Sequence, residues 1–254
     1  MTAGIPSVSQ AVAGAYRDLG TVLLALGRLS IIAIVIGTGI EIAALMLPSR
    51  SAQPSLATLI AFVLNLIEGF LLTPYLIAVH RLIVLGEVTK NYRFAPNEPR
   101  FQQFFGWSVA LTLAWFVLVF VVTLLKATGV MLQTVVMLVA LILFLIVSLR
   151  LTIIFPAVAV DAPGATWQNV VADTKGHVWR IFWINLVAFL PLAVVAVVLE
   201  FSVSGRTTAL SAPNIASVIV SAVLGVAGRM LFVVIASRFY LWIGNRTKEL
   251  PASA

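Results

Sequence analysis

Of the ionisable residues inside apolar stretches of the sequence, where charge is rare and informative, Glu68 and Arg229 qualify best as functional residues. Counted from the basic residue that follows each stretch, Glu68 lies 13 residues inside and Arg229 lies 9 residues inside. At about 1.5 Å per helical residue their depths differ by roughly 6 Å, which an arginine side chain can bridge. Charge inside hydrocarbon is usually paired. We expect these residues to form either an ion pair that fixes helix register or a polar cavity for a solute headgroup or a proton relay.

Two more polar residues belong to this candidate site. Asn65 shares a helical face with Glu68, because the two are three residues apart. Arg28 lies at a comparable depth and is a rival partner for Glu68, although its long side chain can instead reach the membrane surface. A row of small residues at i+4 spacing leads to Arg229 and predicts close helix packing around it. The row consists of Ser217, Ser221 and Gly225.

The sequence lacks the patterns that usually carry catalysis or bind metals. It has no cysteine, which excludes disulfides, thiolate catalysis, iron–sulfur clusters and cysteine-ligated zinc. It also has no His-Glu-x-x-His, Gly-x-Ser-x-Gly or phosphate-cradling glycine motif. We therefore predict no catalytic residue, metal or cofactor. The remaining enzymatic alternative is a membrane enzyme built on Asp173 and His177, which lie four residues apart in a loop.

The composition requires a membrane around these residues. Of 254 residues, 61% are hydrophobic and 10% are charged, whereas soluble domains average about 45–50% apolar and about 25% charged residues. A mean hydropathy of +1.11 agrees, and a soluble globule is excluded. Because a span needs roughly 20 mostly apolar residues, we predict an all-α, six-helix transmembrane bundle that forms one membrane domain over residues 1–254. The six apolar stretches are 21–47, 56–80, 101–125, 130–149, 179–199 and 215–237.

Basic residues are unevenly distributed between the two sides of the predicted bundle. Eleven lysines and arginines flank one side, which we call the basic end, and three flank the other. Because cytoplasmic loops are enriched in lysine and arginine, we expect the basic end and both termini to be cytoplasmic. The net charge of +7 then indicates contact with anionic lipid headgroups and not with nucleic acid. The basic end carries Arg17, Arg81, Lys90, Arg93, Arg100, Arg150, Lys175, Arg180, Arg238, Arg246 and Lys248, and the opposite side carries Arg50, Lys126 and Arg206.

Three segments outside the spans are predicted to lie at the basic end. Residues 1–20 form an amphipathic lead-in if the first span begins as late as Leu29, and residues 245–254 form a tail. In residues 156–178, Thr166 is placed to cap a short helix that Gly176 ends. The aromatic and basic residues of this segment predict an interfacial helix at headgroup level or, alternatively, a docking surface. They are Trp167, Lys175, His177, Trp179 and Arg180.

The chain also divides into three similar hairpins. Each has a basic lead-in, two apolar helices and an arginine where the second helix leaves the membrane. Two explanations stay open. One is an internal repeat, whose units would be related by an axis near the membrane normal, and the other is the positive-inside rule acting on three unrelated hairpins. The exit arginines are Arg81, Arg150 and Arg238.

The middle of the chain resembles a family of bacterial proteins. The run from Arg150 through Pro156 and Asp161 to the Trp-Arg-Ile-Phe sequence at 179–182 is similar to part of bacterial six-helix membrane proteins of unknown function. That family includes the membrane domain found with some glycerophosphodiester phosphodiesterases. The resemblance implies a bacterial inner-membrane location and implies no activity, because the phosphodiesterase catalytic domain has no counterpart in these residues.

We expect a non-enzymatic accessory or envelope-organising protein that acts through helix packing and its basic cytoplasmic surface. Its partners would be anionic membrane lipids, with protein partners or a second copy of the chain as further alternatives. The alternative function is a small-solute or lipid transporter that uses Glu68, Arg229 and Asn65 at mid-depth. A wet cavity and a solute that raises thermal stability would favour transport, whereas copurifying lipids or proteins would favour the accessory role.

Overall fold

The protein is a bundle of helices. A computed structural model describes residues 6–45, 54–125, 130–203 and 212–249, and within these ranges nine helices are formed. Six of them, α2, α3, α4, α5, α8 and α9, are long and apolar enough to cross a membrane, which confirms the predicted all-α, six-span fold. The helices are α1 (Val8–Ala25), α2 (Gly27–Leu45), α3 (Pro54–Leu85), α4 (Pro99–Leu124), α5 (Val130–Leu151), α6 (Ile154–Ala159), α7 (Trp167–Asp173), α8 (Val178–Val203) and α9 (Ala212–Ile243).

The first apolar stretch is two helices and not one. Helix α1 begins with a capping box, in which the Gln10 amide donates to Ser7 Oγ at 3.4 Å and the Ser7 amide donates to Gln10 Oε1 at 3.1 Å. The helix is interrupted at Leu26, and α2 starts at Gly27. A first span that begins at residue 21 is therefore wrong, and the alternative start near Leu29 is close to the observed one.

Helix α1 packs against protein along its length. Its buried residues recur every three to four positions, as one helical face requires, and this face contacts α8 and α9. The Tyr16 hydroxyl donates to the Ala188 carbonyl of α8 at 2.8 Å, and burial raises the pKa of this phenol, which keeps the hydroxyl a donor. The predicted lead-in is thus a helix of the bundle that ends at Ala25. The buried residues are Ala11, Ala15, Asp18 and Val22.

Helix α9 is the centre of the bundle. It contacts α1, α2, α3, α6 and α8, and residues 233–237 are buried in succession. Helices α4, α5 and α8 instead expose large apolar side chains, such as Trp115, Leu143 and Val197. An apolar outer surface of this kind is what lipid contact requires, because the bilayer replaces water as the solvent.

Helix α6 corrects the prediction for residues 156–178. All six of its residues are buried, and it packs between α3, α4 and α9, so residues 156–159 belong to the core and not to an interfacial loop. The physical reason is composition, because this segment carries no polar side chain that headgroups could solvate. Arg81 Nη1 donates to the Ala159 carbonyl at 3.1 Å and so satisfies the end of this short helix.

The spans reach farther at the basic end than the sequence predicted. Helices α3, α5 and α9 end at Leu85, Leu151 and Ile243, beyond the predicted ends at residues 80, 149 and 237. The three exit arginines are therefore helical residues. The helices continue because apolar residues that follow the arginines, Leu82 and Ile243 among them, are buried in the core.

Candidate functional site

Glu68 and Arg229 form an ion pair between α3 and α9. Arg229 Nη2 donates to Glu68 Oε2 at 2.6 Å, and Arg229 Nη1 bonds Glu68 Oε1. The bridge is bidentate, the arrangement in which guanidinium and carboxylate match best. The exposed fraction of the side chain is 12% for Glu68 and 38% for Arg229. The structure thus brings together the two intramembrane charges that the sequence singled out.

A glycine on α2 makes room for this pair. A Cβ at Gly37 would lie 3.6 Å from Glu68 Oε1 and 3.5 Å from Val226 Cγ2, which is ordinary contact. Helix α2 therefore lies directly against the bridge and against α9. On α9 the packed face consists of Ala222, Val226 and Met230, which are all buried.

The predicted small-residue interface is wrong. Ser221 and Gly225 are exposed, and nothing lies within 4 Å of the point where a Cβ on Gly225 would stand. The side chain of Ser217 lies outside the described part of the structure. The face that packs is one residue further along the helix, about 100° around its axis. Arg229 consequently lies at the margin of the α9 interface and reaches across to α3.

The other two predicted members of the site lie apart from the bridge. Asn65 is exposed, and its amide donates to the Ala61 carbonyl of its own helix at 3.1 Å. Arg28 is exposed in the first turn of α2, and none of the ion pairs of the described residues joins it to Glu68. Arg28 is therefore not the partner of Glu68, because the interruption at Leu26 places it near the start of α2, and its alternative, a side chain that reaches the membrane surface, stays a prediction.

A cavity of about 220 Å³ adjoins the bridge between α3, α4 and α9. Ligand sites usually occupy about 300–1,000 Å³, so this cavity is small for a solute. Its polar groups are also engaged, because the Ser108 and Thr112 hydroxyls donate to carbonyls of their own helix at 3.2 Å and 2.8 Å. The polar residues that line it are Asn65, His80, Ser108, Thr112 and Arg229.

A buried hydrogen bond between His80 and Ser237 lies next to this cavity and was not predicted. The two atoms, His80 Nδ1 and Ser237 Oγ, are 2.7 Å apart. Ser237 Oγ also donates to the Val233 carbonyl at 2.9 Å, so the serine must accept from His80, which places the imidazole proton on Nδ1. The sequence contains a sign of this pair, because His80 and Ser237 each immediately precede an exit arginine.

A second ion pair joins α1 to α9. Arg238 Nη2 donates to Asp18 Oδ1 at 2.6 Å, and Arg238 Nε bonds Asp18 Oδ2. The exposed fraction of the side chain is 12% for Asp18 and 34% for Arg238. Sequence reasoning missed this pair, because its members stand 220 positions apart and Asp18 lies outside the apolar stretches.

Replacement of Asp18 by asparagine is expected to loosen α1. The substitution leaves the half-buried Arg238 without its carboxylate, which we expect to lower stability by about 1–2 kcal/mol, a value between those of exposed and buried pairs. Hydrogen exchange is expected to speed up in α1 more than in α9. The neighbouring Arg17, which is exposed, supplies the control Arg17→Gln. If hydrogen exchange in α1 is as slow in Asp18→Asn as in the unaltered protein, the bridge between Asp18 and Arg238 does not hold this helix.

Acidic residues at the basic end tie the loops to one another. Asp161 accepts from Arg100 Nε at 2.8 Å and lies 3.6 Å from Arg81 Nη1. Asp173 accepts at 3.0 Å from the backbone amides of Arg246 and Thr247 and from the Thr247 hydroxyl. Asp161 therefore ties the loop before α7 to α3 and α4, and Asp173 ties the end of α7 to the segment after α9.

The short helix predicted in residues 156–178 is present as α7. Thr166 caps α7 by accepting from the Asn169 amide at 3.4 Å, and Gly176 with φ of 82° follows its end. Val170 and Thr174 face the core, while Trp167 and Trp179 have 53% and 74% of their surface exposed. Lys175 and Arg180 are also exposed, and His177 is half-buried. Arg180 Nη2 donates to the Pro6 carbonyl at 2.7 Å.

Neither a possible metal site among the described residues nor a similar known protein indicates a function. No group of three or more histidine, aspartate or glutamate side chains within the described ranges could hold a metal ion. No family model matches the chain, and no curated protein or solved structure matches it either.

Proposed function

We propose that this is a protein of the bacterial cytoplasmic membrane that works without catalysing a reaction, as an accessory or envelope-organising protein. Both termini lie in the cytoplasm in this proposal, since the side that is rich in lysine and arginine usually stays there. The resemblance of residues 150–182 to bacterial six-helix membrane proteins supports the same location. The surface that acts is the basic end, and its partners are anionic lipid headgroups.

The observation that carries the proposal is the difference between the charges inside the bundle and those at its basic end. Inside, Glu68 and Arg229 neutralise each other. At the basic end, eleven basic residues stand against six acidic ones, and five of these acidic residues already bond protein groups. Arg17, Lys90 and Lys175 are exposed, so they are available to an anionic surface, where each is worth about 1 kcal/mol. The five bonded acidic residues are Asp18, Glu87, Glu98, Asp161 and Asp173.

Transport of a small solute or a lipid is the second candidate, and the cavity beside Arg229 favours it. Asn65 and Arg229 line that cavity and could contact a polar headgroup there. In this case a soluble solute would stabilise the protein by mass action. The small volume and the engaged hydroxyls favour the accessory role instead.

Thermal unfolding in mild detergent separates the two functions. Phosphatidylglycerol is expected to raise the melting temperature more than phosphatidylcholine, and added salt is expected to weaken the effect because exposed charges are screened. The triple variant Arg17→Gln, Lys90→Gln, Lys175→Gln is expected to lose most of the salt-sensitive rise in melting temperature that phosphatidylglycerol causes.

The matched control is the triple variant Arg50→Gln, Lys126→Gln, Arg206→Gln. It removes the same charge from the opposite side, where three basic residues stand against two acidic ones by sequence, and it is expected to retain the lipid effect. A panel of soluble solutes is expected to leave the melting temperature unchanged. Stabilisation by a solute, with no preference for the anionic lipid, would contradict the accessory role and support transport.

A further inference from the structure

A cleft of about 590 Å³ opens between α4, α5 and α7 at the basic end. This volume falls within the range of about 300–1,000 Å³ that small-molecule sites occupy. Its walls are apolar apart from one arginine, and it has a tryptophan on two of its three helices. The residues that line it are Trp107, Val147, Arg150, Leu151, Trp167 and Val171, and we call it the Arg150 cleft.

Arg150 lacks the partner that the other exit arginines have. Arg81 bonds Glu87 at 2.6 Å, and Arg238 bonds Asp18 through both of its donor groups. Within the described residues no ion pair joins Arg150 to an acidic group, and its Nε atom is buried without a hydrogen-bond partner. The three arginines follow corresponding apolar stretches in the sequence, but among them Arg150 alone lies in the last turn of its helix.

A buried guanidinium donor without an acceptor is unusual, because almost all buried polar groups in proteins are hydrogen-bonded. Arg150 lies in the last turn of α5, where the carbonyl end of the helix favours a positive charge. That field does not provide an acceptor for Nε. The acidic residues nearby in sequence are also engaged, since Asp161 bonds Arg100 and Asp173 bonds the segment after α9. Within the part of the chain that the structure describes, no carboxylate pairs with the Arg150 guanidinium and no group accepts from its Nε, so an anion that enters the cleft would be its first charged partner.

The surroundings of Arg150 specify the chemistry of that group. Apolar walls formed by Val147, Leu151 and Val171 suit a hydrocarbon chain. A guanidinium suits a phosphate, which it can bind through two parallel hydrogen bonds. Tryptophans concentrate at headgroup level in membranes, and Trp107 and Trp167 place the cleft at this depth. No acidic side chain lines the cleft to receive an amine, which favours an anionic headgroup over a zwitterionic one.

We propose that the Arg150 cleft is a specific binding site for one anionic phospholipid. The phosphate accepts hydrogen bonds from the Arg150 guanidinium, and an acyl chain lies along α5 between the two tryptophans. This site deepens the proposed function, on which it depends for the lipid as partner, but it differs from the general attraction of the basic end. Binding in the cleft combines apolar contact with a partly buried charge and resists salt, whereas contact with exposed lysines does not.

Native mass spectrometry of the protein, mixed with phosphatidylglycerol at high salt, tests this site. The unaltered protein is expected to retain one lipid. Arg150→Gln is expected to bind it about tenfold more weakly or worse, because a charge-assisted hydrogen bond is lost. Arg28→Gln removes the same charge from an exposed position on α2, away from the cleft, and is expected to retain the lipid. Brominated phosphatidylglycerol is expected to quench tryptophan fluorescence in the unaltered protein and much less in the double variant Trp107→Phe, Trp167→Phe, which keeps Arg150.

Three results would overturn the proposal. They are equal retention of the lipid by Arg150→Gln, equal retention of phosphatidylcholine by the unaltered protein, and displacement of the lipid by inorganic phosphate. The two proposals also fail separately. If the unaltered protein retains one lipid at high salt but shows no salt-sensitive stabilisation, the role of the exposed basic residues is contradicted. If it shows the salt-sensitive stabilisation but retains no lipid at high salt, the Arg150 cleft is contradicted.

Discussion

Glu68→Gln is expected to lower the free energy of unfolding by about 2–4 kcal/mol. Removal of one partner from a buried ion pair costs about 3–5 kcal/mol, because the other charge stays behind uncompensated, and the 38% exposure of the Arg229 side chain reduces that figure. Arg229→Gln is expected to destabilise the protein as well, because the Glu68 carboxylate that it leaves behind has only 12% of its side chain exposed.

Unfolding in mild detergent, followed by circular dichroism, measures these losses. Glu41 supplies the matched control, since it is an exposed glutamate on α2, and Glu41→Gln is expected to change stability by less than about 0.5 kcal/mol. If Glu68→Gln were as neutral as this control, the bridge would contribute nothing measurable to the fold.

Gly164→Ala is expected to destabilise the basic end by about 2–3 kcal/mol, at the upper end of what overpacking costs. A Cβ at this position would lie 2.3 Å from the Arg246 carbonyl and 3.0 Å from the carbonyls of Thr247 and Glu249. These are backbone atoms, so they cannot turn aside as a flexible side chain would. The Gly164 amide also donates to the Thr247 carbonyl at 3.2 Å, and the added methyl group would break this contact.

The control for this substitution is Gly106→Ala on α4, where nothing lies within 4 Å of an added Cβ. It is expected to be neutral or to stabilise the helix by up to about 1 kcal/mol, because alanine has the higher helix propensity. Melting temperature measures both changes, and hydrogen exchange in residues 244–249 locates the first. Equal melting temperatures for the two variants would show that the turn after α9 is not packed on Gly164.

The number and type of the spans could be predicted because hydrocarbon thickness sets the length of an apolar helix. Finer features of the fold could not be read in this way. The interruption at Leu26 lies within a continuous apolar run, Leu23 to Leu26, so hydropathy does not mark it. Helix α6 follows the turn at Thr152 and Ile153. Its apolar composition indicates burial, so the prediction of a loop for residues 156–159 disregarded this composition.

One part of the candidate site, the pair of Glu68 and Arg229, could be predicted from the sequence. Depth along a helix follows from residue counting, and this placed Glu68 and Arg229 at comparable levels. Which face of α9 packs depends on its neighbours, so the row that includes Ser221 was assigned to the wrong side. Asp18 pairs with Arg238 across nearly the whole chain, and no local pattern reports a contact of that separation. The Arg150 cleft depends on α7 folding back beside α5, which the sequence did not specify.

The coupling energy between Glu68 and Arg229 distinguishes most directly between a structural role of the two intramembrane charges and a role in transport. A double-mutant cycle with Glu68→Gln, Arg229→Gln and the double variant measures this energy by unfolding in mild detergent. We predict that the double variant regains most of the stability lost in Glu68→Gln, with a coupling of about 2 kcal/mol or more. Additive losses in the double variant would show that the two charges are not a structural pair and would point to charges that line a hydrated cavity.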